Sequence, residues 1–197
     1  MLVLFFAPIQ VGAAGEKVSN KSLGFSIELP DGWIQLGADS FYENLGSVIL
    51  EDPEFQKALA KRASLPAVLA TKHPEPYPDV NASIKVNVRP YGQLPTREPT
   101  EIISLVLGSI KKAFKDIEVV VGPEKVIING SEAAHVSVKY TMTTDAGQFP
   151  IGSDMWIIPT QHVFYMIGVG YKQGEHADSD AALGAVKSFQ LLQASQQ

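Results

Sequence analysis

Phe25, Ile27 and Leu29 alternate with Ser26 and Glu28 in "SLGFSIELPDGWIQ", the two-residue period of a strand with one wet face. Pro30-Asp31-Gly32 follows as a turn, since proline presets φ and glycine accepts a positive one. Trp33, Ile34 and Leu36 then restart an extended run. The pattern predicts an opening hairpin with Trp33 as a core plug. From Asp52 to Ser64 the spacing becomes helical through Phe55, Leu59 and Arg62, with Pro53 in the first turn and Leu65-Pro66 as the stop.

"AVLAT" reads as a strand, and "KHPEPYPDV" after it is too rich in proline for a helix or a central strand. This segment is expected to be a surface loop with Tyr77 exposed. "ASIKVNVRPY" alternates Ile84, Val86 and Val88 against polar neighbours, and a second irregular loop runs from Gly92 to Pro99. The strongest helix begins at Pro99-Thr100-Glu101, where Thr100 is expected to cap and Glu101 to suit the positive end. Ile103, Val106, Leu107, Ile110 and Phe114 form its apolar stripe.

Strands and turns dominate the rest. Asn129-Gly130 between "EKVII" and "SEAAHVSVKYTM" is a hairpin signal. "QFPIGSDMWIIP" and "HVFYMIGVGY" form another pair, and "VFYMIGV" is apolar on both faces, as a covered central strand should be. A terminal helix near Ser179 to Ser188 presents Leu183 and Val186. Short hairpin links require antiparallel pairing. The expectation is an α+β fold around a mainly antiparallel sheet, in a single domain over 15–197.

Composition narrows the function classes. The 197 residues are 45% hydrophobic and 19% charged, enough for a core and too apolar for global disorder. A net charge of −5 argues against nucleic acid as a partner, because phosphates need clustered Lys and Arg. With 0 cysteines, thiolate metal sites and cysteine nucleophiles are excluded. Met1 to Ala14 is uncharged and mostly apolar, too short to span a bilayer, and ends in Gly12-Ala13-Ala14. It reads as a signal peptide cleaved after Ala14, leaving no stable membrane anchor and an exported, periplasmic or lumenal chain. The competing reading is a buried first strand, since no Lys or Arg precedes Lys17.

Candidate chemistry is sparse. No phosphate loop and no Gly-x-Ser-x-Gly elbow is present. His135 shares a strand face with Ser137 and Lys139, a row that reads first as a wet sheet face and second as a catalytic cluster of a small-molecule hydrolase. In "GEHADSD", Glu175, His176, Asp178 and Asp180 could collect a divalent ion in a metal-dependent accessory protein. Capping of the terminal helix by Asp178, Ser179 and Asp180 accounts for the same acids without a ligand. Tyr77 and Tyr91, in the two proline-bearing loops, are the candidate anchors of a partner site. No cofactor is implied.

Together, "LGFSIELPDGW", "ING-SEAAHVSVKYTM", the tryptophan strand, "HVFYMIGVGY" and a helix ending in "VKSFQL" resemble the PsbP-like and DcrB-like group over Leu23 to Leu192. The resemblance implies an α/β/α sandwich around an antiparallel sheet. That group includes extrinsic lumenal subunits of photosystem II, bacterial periplasmic proteins and a Ran-binding import factor. It therefore implies an accessory or binding role through a protein or envelope partner, without a shared catalytic site. The lipobox cysteine of many bacterial relatives is absent here, and no photosystem role or site residue carries over.

Overall fold

Asn129 and Gly130 both take positive φ, 47° and 81°, and turn the chain between two long antiparallel strands. The computed structural model describes residues 15–37, 48–49, 65–114 and 116–192. The Met1–Ala14 segment and the helix expected from Asp52 to Ser64 lie outside them. In chain order the first strands are β1 (Lys17–Asn20), β2 (Phe25–Glu28), β3 (Ile34–Gln35), β4 (Val48–Ile49), β5 (Val68–Thr71) and β6 (Ser83–Pro90). Helix α1 (Pro99–Ala113) follows, then β7 (Glu118–Ile128), β8 (Ser131–Thr144), β9 (Gly147–Pro159) and β10 (Val163–Lys172). Helix α2 (His176–Ser188) and β11 (Gln190–Leu191) close the described chain.

Among the described residues, eight strands build one antiparallel sheet in the order β3-β5-β6-β10-β9-β8-β4, with β7 also pairing β8. A small sheet, β1-β2-β11, lies beside it. The alternation along each strand sends one set of side chains to either face. On one face Ile84, Val86, Trp156, Ile158, Ile167 and Val169 meet Phe25 and Ile27 of the small sheet and Ala182, Val186 and Phe189 at the α2 end. On the other, Ala134, Val136, Val138, Ile157 and Phe164 are covered by Ile102, Ile103 and Leu107 of α1. The sheet is thus sandwiched, and β10 feeds both cores through Phe164 on one side and Tyr165, Ile167 and Val169 on the other.

Four local expectations need correction. Pro30 to Trp33 does form a turn, with Gly32 at φ 73° and Trp33 N–H donating to the Pro30 carbonyl at 3.2 Å. It makes no hairpin, because β2 pairs with β1 and β11 whereas β3 pairs with β5 in the other sheet. Trp33 is nonetheless a core residue. Ser26 faces no water: it is 1% exposed in a strand covered on both sides. At α1 the cap position falls on Glu98, which makes no side-chain cap bond, while the Thr100 hydroxyl turns to the Glu98 carboxylate at 3.3 Å. Helix α2 starts earlier than expected, at His176, again without a side-chain cap.

Candidate functional site

The proline-rich segment between β5 and β6 is a loop held mostly by its own side chains. The His73 N–H donates to Asn81 Oδ1 at 3.0 Å, and the Asn81 amide donates back to the His73 carbonyl at 2.8 Å and to Glu75 Oε1 at 2.9 Å. Glu75 Oε2 accepts from the Tyr77 N–H at 3.0 Å. Two ion pairs lash this loop to α2 and to the adjacent end of β10. Lys72 Nζ lies 2.6 Å from Asp178 on α2, and Lys172 at the end of β10 pairs with Asp79. These hydrogen bonds hold the Asp79 carboxyl below its ordinary range and raise both lysines.

Beside the loop, α1 leaves part of the sheet face open as a groove of about 580 Å³. Its apolar lining comes from Leu69, Tyr140, Met142, Phe149 and Ile151, and its wall from Pro76, Tyr77 and Pro78. Gly168 and Gly170 lower the floor, because β10 presents bare backbone there. A Cβ on Gly168 would find nothing within 4 Å. Thr71, Ser83, Lys85, Ser153 and Asp145 supply the polar part of the lining. Burial pushes the Tyr140 phenol up to about 12, and its ring lies 4.2 Å from that of Phe114.

The two candidate tyrosines separate. Tyr77 is half-buried, stacks on the His73 ring at 4.4 Å and lines the groove. Tyr91 is not an exposed anchor. It is 7% exposed, donates its hydroxyl to the Thr160 carbonyl at 2.9 Å and packs on Phe164 beneath α1. The physical reason is amphipathic: the phenol tip finds a backbone acceptor, so the ring can be buried at no polar cost.

The His135 row is likewise not a wet face. His135 Nε2 lies 2.8 Å from Asp154 Oδ1, and its ring stacks on Trp156 at 4.7 Å. Ser137 is buried and also hydrogen-bonds Asp154, while Tyr171 donates to Asp154 Oδ2 at 2.8 Å. Burial alone would raise the Asp154 carboxyl, but the bonds from His135, Tyr171 and Ser137 outweigh it and hold it below the usual range. Burial and the bond to Asp154 push the Tyr171 phenol up to about 12. Ser137 and His135 Nε2 both turn to Asp154, which leaves them unpaired as nucleophile and base. Lys139 lies at the surface, 3.0 Å from Glu118.

The acidic loop has a different job from the one expected. Glu175 occupies the cap position of α2 without a side-chain bond, and Ser179 bonds the His176 carbonyl. Asp178 is buried and spent on Lys72, so it anchors the groove loop instead of capping. Among the described residues no three His, Asp or Glu side chains gather closely enough to hold an ion.

Asp154, Tyr171, Lys72 and Lys172 went unrecognised in the sequence. One signal was available for Asp154. Counting back from the Asp145-Ala146 turn along β8 and forward along β9 places Ser137 opposite Asp154 and His135 opposite Trp156.

No family model matches the sequence, and no curated protein does. Solved structures do. Cyanobacterial PsbP from Synechocystis aligns over 94% of this chain and 98% of its own, with 13% identity and a TM-score of 0.54. The Saccharomyces cerevisiae Ran-binding protein Mog1p aligns over 90% of this chain and 95% of its own, with 10% identity and a TM-score of 0.51. LpqN, involved in cell envelope biogenesis of Mycobacterium tuberculosis, aligns over 94% and 90%, with 14% identity and a TM-score of 0.47. At 13% and 10% identity the first two likenesses are of fold alone. The chain has the PsbP-like α+β fold, an antiparallel sheet sandwiched between α1 on one face and α2 with the small sheet on the other.

Proposed function

We propose that this chain is an exported, non-catalytic binding protein that takes an apolar segment of a protein partner into the groove beside Tyr77. The observation that carries the reading is the groove itself. Its apolar floor is bare at Gly168 and Gly170, and its wall is a loop cross-braced by its own hydrogen bonds and two ion pairs. Aromatic and aliphatic side chains held on a rigid scaffold are the usual anchors of a partner site. The His135 cluster fits a structural role, because each Asp154 oxygen is already engaged, Oδ1 by His135 and Oδ2 by Tyr171. A Ran-binding protein of the same fold is consistent with action through a protein. Export rests on the apolar run Met1 to Ala14.

A groove of this volume also falls in the range of small-molecule sites, roughly 300–1,000 Å³. Co-purification from the native envelope fraction separates the two. Gly168→Leu fills the floor without a clash at Cβ and should abolish capture of the protein partner, with an unchanged thermal melt. Tyr77→Ala should weaken it. Full capture by Gly168→Leu would remove the groove from partner binding.

A further inference from the structure

The groove beside Tyr77 has two unlike ends. Strand register sets Leu69, Lys85, Gly168 and Met155 side by side across β5, β6, β10 and β9. The lining reaches Lys85 and Gly168 and goes no further along these strands. On the same face Met155 and, beyond Gly168, Met166 pack into the cluster that α1 covers. The other end lies between the proline-rich loop and the tip of the β8–β9 hairpin, where Tyr77, Asp145 and Phe149 stand. A chain that enters there and runs along the strands has to stop at Lys85.

Charge is ordered along the same path. Lys85 is the cation of the lining, and the acids Glu75, Asp79 and Asp145 belong to the loop and the hairpin tip at the other end. Lys85 is open to the groove, yet the protein around it disfavours its charge and pushes the ammonium below the ordinary lysine range. A carboxylate beside it offsets that cost. Ser83, two residues along the same face, can donate its hydroxyl to the same anion. Its Oγ leans over bare backbone, 3.3 Å from where a Cβ on Gly170 would stand. Gly168, directly across from Lys85, leaves room for the anion.

We propose that the groove holds the C-terminal tail of its protein partner, with apolar side chains against Leu69, Tyr140, Met142 and Ile151 and the terminal carboxylate on Lys85. The assignment rests on the reading of the groove as a partner site and names the part of the partner that enters. An internal Asp or Glu would bring the same charge, but its chain must run on, and Met155 and Met166 stand in the way. From Gly168 to the level of Ile151 is about 13 Å of strand, the length of about four residues of extended tail.

Selection on the full-length chain tests this with random hexapeptides displayed at the free C-terminus of a carrier protein. It should enrich tails whose last residues are apolar. The most enriched sequence, made as a fluorescein-labelled peptide, should bind about tenfold or more tighter as the free acid than as the C-terminal amide. Lys85→Met keeps an apolar stem and should bring acid and amide to within about twofold, with an unchanged thermal melt. Gly168→Leu should lose both peptides. Equal binding of acid and amide by the wild type, lost in Gly168→Leu, would overturn the chain-end assignment and leave the groove a partner site. A preference for the acid that persists in Lys85→Met, or a selection that enriches no apolar tail, would overturn it as well.

Discussion

Gly152→Ala should destabilise the fold through the ring that faces it on the next strand. Gly152 lies opposite Tyr171 in the β9–β10 ladder. A Cβ there would sit 2.3 Å from Tyr171 Cε2, 2.8 Å from Cζ and 2.9 Å from Cδ2. Ordinary carbon contacts are about 3.5–4.0 Å, so the ring must retreat by roughly 1 Å. A ring can move more cheaply than backbone, but this one is tethered by the 2.8 Å bond from its hydroxyl to Asp154. Losing a hydrogen bond to a charged group costs about 1.5–3 kcal/mol, and water at this half-buried site recovers part of it. Replacing glycine by alanine returns roughly 0.4–1 kcal/mol through the unfolded chain. The net cost is about 1 kcal/mol, read in urea as a midpoint lowered by roughly 0.5 M. In a Tyr171→Phe background the tether is already gone, so the same substitution should be nearly neutral, a coupling of about 1 kcal/mol. An equal cost in both backgrounds would refute the tether.

Gly122→Ala should cost more, over about 2 kcal/mol in the same urea assay, because it meets the backbone of His135 and also needs positive φ. Ser26→Ala should be neutral or stabilise by about 1 kcal/mol, since among the described residues the buried Ser26 hydroxyl has no partner. Ultraviolet titration of the folded protein should show Tyr140 and Tyr171 ionising near pH 12. Because both folded values exceed the ordinary phenol value near 10, their contribution to stability is intact below about pH 10 and lost as pH rises through 12. Asp154 works in the opposite direction: its contribution is present above the ordinary carboxylate range and lost as pH falls through its depressed value.

Periodicity made most of the sheet legible. The Asn129-Gly130 turn, the alternation of "ASIKVNVRPY" and the two-faced apolar run at Val163–Val169 each follow from local residue chemistry. Ser26 misled because a polar residue in an alternating strand reads as solvent-facing, whereas Phe25, Ser26 and Ile27 of β2 are all buried, with β11 from the far end of the chain paired alongside. Tyr91 misled for the same reason, since its partner Thr160 is 69 positions away. The groove was out of reach altogether. Nothing local says that α1 stops short of Gly168 and Gly170, or that Lys72 and Lys172 reach out to acids 106 and 93 positions away. His135 was visible as a residue, but its environment depends on the β8–β9 register and on a bulge in β7 that brings in Glu124.

Complementation in the native cell measures binding against turnover most directly. Two full-length variants, His135→Gln and Gly168→Leu, replace the wild-type chain, each with a thermal melt to confirm folding. Action by binding through the groove requires that His135→Gln restore function and that Gly168→Leu fail. If Gly168→Leu restores function while a folded His135→Gln does not, the chemistry lies at His135 and the binding account is contradicted.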